Sequence, residues 1–212
     1  MAREAGPKVR DMPAPRKAEG AAGGAIQRIF KWPYRAILAF LLWTRVRPWQ
    51  LTLLSLVLNV VVGWLIISGE WFVAGWLLLV AGLCDVFDGS IARQRGEDRR
   101  SGAFMDSVLD RVSDAILFSC LFWSLAASGE RFDAALALAT LVISLAVSHT
   151  RAEAEAVGVS LTEGFFQRLE RYLALMIGLL VPGAMRPVLV ALTVLGGITL
   201  LQRAWSALRD AR

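Results

Sequence analysis

Six stretches of this chain are each apolar over about the 20 residues that an α-helix needs to cross a bilayer. They lie near 51–68, 71–92, 104–128, 133–156, 168–184 and 187–207. In hydrocarbon every backbone N–H and C=O must find its partner within the protein, so continuous apolar runs of this length fold as helices. The expected fold is therefore an all-α integral membrane protein with six transmembrane helices. Breaks at Ser68-Gly69-Glu70, Ser128-Gly129-Glu130 and Pro182-Gly183 mark the turns. Composition agrees, since 56% hydrophobic residues and a mean hydropathy of +0.54 exceed what soluble globular chains carry.

Ahead of the first run, Phe30 to Trp43 is apolar but short for a crossing and is flanked by Lys31, Arg35, Arg45 and Arg47. That pattern predicts an amphipathic helix lying in the membrane interface. Residues 1–23, rich in Ala, Gly, Pro, Lys and Arg, lack the apolar centre of a secretory signal and read as a disordered basic arm able to rest on anionic headgroups. Residues 24–212 then form a single membrane domain.

The formal charge of +5 does not point to nucleic acid, because the basic residues punctuate apolar segments rather than gathering on one module. Their placement instead sets topology. The N-terminal arm, the 93–100 loop, the 151–171 region and the C-terminus fall on one side of six alternating spans, and only Arg131 and Arg186 fall on the other. The positive-inside rule makes the first side cytoplasmic, in a multi-pass protein of the cell membrane. Cys84 and Cys120 lie within apolar runs and give no disulfide framework, so both are expected as buried packing residues.

Four carboxylates interrupt this apolar pattern. Asp85 and Asp88 are three residues apart at the cytoplasmic end of the second span, and Asp106 and Asp110 are four apart at the start of the third. Each spacing puts its pair on one helix face. Ionised groups in a membrane segment cost about 2.5–3.5 kcal/mol apiece on insertion scales, so the cluster needs a compensating partner. Consecutive spans joined by a short loop are expected to be antiparallel neighbours, which would bring the two pairs together. Their repulsion would be severe without cations. Oxygen-only donors suit magnesium, manganese or calcium, and two such ions can clamp the attacking and leaving oxygens of a displacement at phosphorus. Gly89 and Gly102 would admit a phosphate close to the backbone, and Arg93 can offer it a forked donor. A cation channel or transporter would place its carboxylates near the midplane along a polar path, whereas these gather at one edge beside an Arg- and Gly-rich loop.

The run from Asp85 to Asp110, DVFDGSIARQRGEDRRSGAFMDSVLD, carries D-x2-D-G-x2-A-R-x8-G-x3-D-x3-D at every fixed position. This is the signature of the CDP-alcohol phosphotransferase family, which the chain resembles. The resemblance implies a metal-dependent enzyme that moves a phosphatidyl group from CDP-diacylglycerol to an alcohol and releases CMP. It implies Asp85, Asp88, Asp106 and Asp110 as ligands of two Mg2+ or Mn2+ ions, with Asp110 also the catalytic base. Gly89, Ala92 and Arg93 resemble the family's cytidine diphosphate contacts, and Gly102 its close-packing glycine. Arg99 and the segment Arg47-Pro48-Trp49-Gln50-Leu51-Thr52 join them on the CDP-lipid side through Pro48 and Gln50. That segment resembles a T-P-[ND]-x-x-T pattern, with Trp49 in place of its polar residue.

Acceptor choice is read further along. Asp110-Arg111-Val112-Ser113-Asp114 and Gly164-Phe165-Phe166-Gln167-Arg168-Leu169-Glu170-Arg171 resemble D-R-x-S-D and G-F-x-E-R-x-E-R of the family's inositol-phosphate-using branch, with Gln167 where Glu is usual. That likeness implies Arg151, Arg168, Arg171 and Arg203 as ligands of a phosphorylated alcohol such as inositol 1-phosphate. Glycerol 3-phosphate is the alternative acceptor within the family. A homodimer is implied as well, and alanines such as Ala135, Ala137 and Ala139 would permit close helix contact. Asp114 stands outside the metal set, as a partner for Arg111 or another basic group.

Overall fold

The computed structural model describes residues 23–44, 46–96, 100–159 and 168–210. It is entirely helical over that range: α1 (Gly23–Trp43), α2 (Pro48–Ile67), α3 (Trp71–Arg95), α4 (Arg100–Ala127), α5 (Arg131–Ala156), α6 (Arg168–Leu180) and α7 (Met185–Asp210). The expected basic arm, Arg99 and residues 164–167 lie outside the described residues, except that Gly23 already begins α1.

Local sequence explains the ends. Pro48 opens α2 at a position where its missing N–H costs nothing, and the Gln50 side chain accepts a hydrogen bond from the Arg47 N–H at 2.9 Å. The two Ser-Gly-Glu breaks make the same turn. Gly69 (φ 84°) and Gly129 (φ 86°) adopt the left-handed conformation. The next residue's N–H reaches back five positions, Glu70 to Leu65 O at 2.9 Å and Glu130 to Leu125 O at 3.0 Å. Both are Schellman stops that satisfy carbonyls a helix end would otherwise orphan.

Four helices, α2, α3, α5 and α7, are long and apolar enough to cross a membrane. The other two expected spans differ from the simple pattern. Helix α4 runs 28 residues but carries the charges of Asp106, Asp110, Arg111 and Asp114. Helix α6 is described over 13 residues, about 20 Å at 1.5 Å per residue, because Pro182 and Gly183 end it early.

Packing closes a ring. Helix α3 contacts α2, α2 contacts α4, α4 contacts α5, α5 contacts α7, α7 contacts α6, and α6 returns to α3, with α1 docked outside the ring on α3 and against Leu51 of α2. Among the described residues α3 and α4 make no direct helix–helix contact, which corrects the expectation that these consecutive elements pack side by side. Helix α2 packs against both instead, because it offers each a polar partner as well as apolar surface: Thr52 to Asp88 and Ser55 to Ala81 O on α3, and Asn59 to Ser113 on α4. Val62, Ile66, Leu78, Leu117, Phe118, Leu121, Leu175 and Leu189 fill the interior with 1% exposure or less.

Glycines let neighbours in the ring approach. A Cβ on Gly75 would lie 2.7 Å from Leu180, and one on Gly63 would lie 2.8 Å from Cys120 Sγ. Interhelical hydrogen bonds supplement the packing, Ser55 Oγ to Ala81 O at 3.0 Å and Thr140 to Thr193 at 3.0 Å. Cys84 and Cys120 are half-buried rather than fully buried. The outer faces present Val57, Val60, Trp64, Phe72, Val73, Trp76, Val142 and Val194, a belt far larger than the apolar patches that water-soluble monomers leave exposed.

Candidate active site

Each short turn reverses the chain, so the start of α2, the end of α3, the starts of α4 and α6 and the ends of α5 and α7 share one end of the ring. The described aspartates and arginines expected at the site lie there, whereas Arg131 and Arg186 lie at the opposite end.

Asp85 and Asp88 come from α3 and Asp106 from α4, and each brings one carboxylate oxygen to within 4.8 Å of the others. Asp88 is buried, with 5% of its surface exposed, and accepts a 2.6 Å hydrogen bond from Thr52 Oγ1 of α2. Asp110 stands beside this group. A single nitrogen of α6, Arg168 Nη1, bridges Asp85 Oδ2 at 2.7 Å and Asp110 Oδ1 at 2.6 Å. Asp106 accepts no hydrogen bond from any described residue. One guanidinium cannot neutralise four carboxylates, and the orphan Asp106 turns toward two others that carry the same charge. Oxygen donors in this arrangement fit a hard divalent cation, with Asp85, Asp88 and Asp106 as its natural holders.

Arg168 is itself held from below. Its guanidinium lies 5.7 Å from the centre of the Tyr172 ring, and the Tyr172 hydroxyl donates to Asn59 Oδ1. Asn59, completely buried, passes its own donors to Ser55 O at 2.9 Å and Ser113 Oγ at 3.4 Å. A polar column thus runs from the carboxylates into the apolar interior, its groups paired as burial requires except Arg168 Nε, which has no partner among the described residues.

On the α1 side, the Arg93 guanidinium folds back over Gly89, where a Cβ would lie 3.2 Å from Nη1, and Nη2 donates to Ser90 Oγ at 3.2 Å. Arg95 Nη1 donates to Val46 O at 2.8 Å and ties the end of α3 to the entry of α2. Ala92 is half-buried nearby, while Pro48 and Gln50 serve the cap of α2. Gly102 differs from the expectation of a close-packing glycine: among the described residues outside its own turn, no atom lies within 4 Å of where its Cβ would be. It occupies the first turn of α4, before that helix enters the packed ring.

The basic residues divide into two groups. Arg171 and Arg203 are buried to 9% and 7% exposure, and with the exposed Arg151 they are close enough to act on one another electrostatically. Arg171 Nη2 pairs with Asp114 Oδ2 at 2.7 Å, which also accepts from Ser144 Oγ at 2.7 Å. Asp114 therefore pairs with Arg171 and not with Arg111, whose guanidinium turns to Ser107 and to Ser148 O. Arg203 Nη1 donates to Val147 O at 3.3 Å, Arg151 pairs with Glu155 at 2.8 Å, and Arg171 Nε is buried without a partner among the described residues. Arg168 stands apart from this group, on the carboxylates. His149, exposed, meets only Glu153 at 3.8 Å among the described residues.

Sequence reasoning did not assign Thr52, Asn59, Ser90 or Tyr172 to the site. Thr52 alone carried a signal, as the last residue of Arg47-Pro48-Trp49-Gln50-Leu51-Thr52.

Comparison with known proteins gives the same outline. The family model described as CDP-alcohol phosphatidyltransferase matches residues 45–201. An uncharacterised protein of Aquifex aeolicus is 38% identical over 129 residues, 61% of this chain and 65% of that one. The phosphatidylinositol phosphate synthase of Corynebacterium glutamicum is 35% identical over 140 residues, 64% of this chain and 63% of the relative. The matched stretch thus spans somewhat less than two thirds of these relatives' length. The archaetidylinositol phosphate synthase of Methanothermobacter thermautotrophicus is 34% identical over 150 residues, 67% of this chain and 74% of its own. Among solved structures, the phosphatidylinositol phosphate synthase of Mycobacterium tuberculosis with CDP-DAG bound superimposes with a TM-score of 0.74 at 30% identity, covering 81% of this chain and 92% of that one. The same enzyme in complex with manganese and citrate gives the same score.

Proposed function

This chain belongs to the CDP-alcohol phosphatidyltransferase family, and from that membership we propose that it transfers the phosphatidyl group of CDP-diacylglycerol to inositol 1-phosphate, yielding phosphatidylinositol phosphate and CMP. The observation that carries the reading is the meeting of Asp85, Asp88 and Asp106 within 4.8 Å, from two helices that meet only through such side chains, beside Asp110 and a separate trio of arginines.

The carboxylates would hold two Mg2+ or Mn2+ ions, which neutralise the diphosphate and stabilise the oxygens entering and leaving at phosphorus. Asp110 takes the proton of the acceptor hydroxyl. That oxygen forms a bond to the phosphorus nearer the lipid, the bond from this phosphorus to the bridging oxygen breaks, and the electron pair leaves with CMP. Arg93 over Gly89, with Ala92, Arg99 and the open space at Gly102, receives the cytidine diphosphate, and Pro48 and Gln50 border it. Thr52 fixes the orientation of Asp88. Arg151, Arg171 and Arg203 receive the acceptor's phosphate: buried Arg203 is repelled by both of the others, although each of those has a carboxylate partner, and an anion would relieve that repulsion and meet the buried Arg171 Nε. Arg168 joins them from the carboxylate side. The names of the Corynebacterium and Mycobacterium relatives support the inositol phosphate acceptor.

The same reading includes six membrane crossings, with α4 and α6 completing the ring and α1 lying in the interface. The exposed Trp32, Phe40 and Trp43 of α1 support that interfacial placement. The site faces the cytoplasm of the cell membrane, supported by Arg93, Arg95, Arg151 and Arg168 gathering at its end. Ala135 and Ala139, at least partly exposed on α5, are small enough for close helix contact in a homodimer, whereas Ala137 is turned into the protomer.

Purified protein with MnCl2 and CDP-diacylglycerol is expected to release CMP when inositol 1-phosphate is added. A higher kcat/KM with glycerol 3-phosphate would overturn the acceptor assignment. Ion flux in liposomes with no CMP from any acceptor would overturn the enzyme reading.

A further inference from the structure

We propose that Tyr34 of α1 is a positioning residue for the donor site, holding Arg93 in its ligand-facing orientation through the hydroxyl of Ser90. The inference rests on the assignment of Arg93 to the cytidine diphosphate and extends that site to a helix outside the ring.

The hydrogen bonds at Ser90 leave little freedom in the argument. Its Oγ is buried and makes three of them: it donates to Val86 O at 2.8 Å, and it meets Tyr34 Oη at 2.7 Å and Arg93 Nη2 at 3.2 Å. A serine hydroxyl has one proton and two lone pairs. Because the proton is committed to Val86, both remaining partners must donate, so Tyr34 and Arg93 each fill one lone pair. The hydroxyl is saturated, and rotating it to release either donor would break the bond to Val86.

Arg93 is located on a second side by Gly89, whose hydrogen is all that separates the guanidinium from the backbone. Two constraints, a surface beneath and a fixed acceptor beside, reduce the rotamers of a side chain that loses about 2 kcal/mol of entropy when ordered. Its other guanidinium donors have no hydrogen-bond partner among the described residues and can serve a diphosphate.

Tyr34 can set this geometry because it is anchored independently. Its ring stacks on Phe87 with centroids 5.2 Å apart at 20°, within a small core of Leu38, Ala39, Leu51, Phe87 and Ile91 that joins α1, α2 and α3. Phe87 stands beside Asp88 in sequence. Docking of α1 is thereby coupled to the donor arginine, while the acceptor arginines on α5, α6 and α7 receive nothing from α1.

The test compares Tyr34→Phe, which keeps the stacked ring and removes only the hydroxyl, with Ser90→Ala and the double variant. Binding of CDP-diacylglycerol by calorimetry is expected to weaken about three- to tenfold in each single variant, as for the loss of one hydrogen bond. The double variant should be no weaker than Ser90→Ala, since both changes cut one relay. Manganese affinity, acceptor KM and thermal midpoint should stay at wild-type values, a pattern that general loosening of the fold would not give. Unchanged donor affinity in Tyr34→Phe, additive losses in the double variant, or an equal loss of acceptor affinity overturns the inference. Failure of the wild-type protein itself to bind CDP-diacylglycerol instead overturns the donor assignment beneath it.

Discussion

Asp110 and Arg203 give the most direct tests at the scale of the residue. Asp110→Asn keeps the shape of the side chain and removes its basicity, so CMP release should fall about 10²–10⁴-fold while manganese binding by Asp85, Asp88 and Asp106 persists. Near-normal turnover would remove Asp110 from the role of base. Arg203→Ala removes one of the three converging cations. The acceptor KM should rise about 10- to 100-fold, the effect of a lost charge-assisted hydrogen bond, with the donor KM within about twofold of wild type. A change in donor KM alone would place Arg203 on the wrong substrate.

Among the elements, α6 decides how the site is assembled, since it carries Arg168 to the carboxylates and seats against α3 where Gly75 admits Leu180. Gly75→Val should push the two helices apart. The expected cost is about 1–3 kcal/mol, read as a lower thermal midpoint in detergent, with loss of kcat because Arg168 moves away from Asp85 and Asp110. An unchanged midpoint would mean that this helix pair tolerates a wider spacing. Gly102→Ala is the contrasting case. Its Cβ meets no atom of another described residue, and alanine favours a helix by about 1 kcal/mol, so the midpoint should hold or rise. A rising donor KM in the same variant would identify the open space as room for the ligand.

The described molecule is a ring of helices with an apolar outside, the aspartate cluster and its arginines at one end and the ion pairs of Arg186 with Asp133 and Glu130 at the other. Orientation follows from which end the basic residues occupy. With Cys84 and Cys120 replaced by alanine, Ser128→Cys and Ala156→Cys place single thiols at opposite ends of α5. In sealed right-side-out vesicles a membrane-impermeant maleimide should label the first at once and the second only after permeabilisation. Labelling of both from one side would exclude a crossing by α5.

Much of this was legible in the sequence because the signals were local. Apolar run length fixes which segments become helices, and the expected bounds of the second span, 71–92, differ from α3 by three residues at the end where charges begin. Ser-Gly-Glu turns announce themselves through the positive φ that glycine alone adopts freely. The eight fixed positions of the signature named the carboxylates, since i, i+3 and i, i+4 spacings already determine a shared helix face.

Relations across the chain were decided only by packing. Nothing in the spacing of Asp85 to Asp110 says that α3 and α4 stand apart with α2 touching both, because that depends on which surfaces gain most by contact. The same holds for Arg168, counted among the acceptor's arginines yet turned to two aspartates, and for Arg171, whose partner Asp114 is 57 residues away. Thr52, Asn59, Ser90 and Tyr172 entered the site for a related reason: small or neutral polar residues carry no periodic signal, and burial alone forces them to find partners. A cluster of carboxylates at one edge of a membrane bundle was thus written in the sequence, whereas the pairings that separate Arg93, the carboxylates with Arg168, and Arg171 with Asp114 came from the tertiary fold.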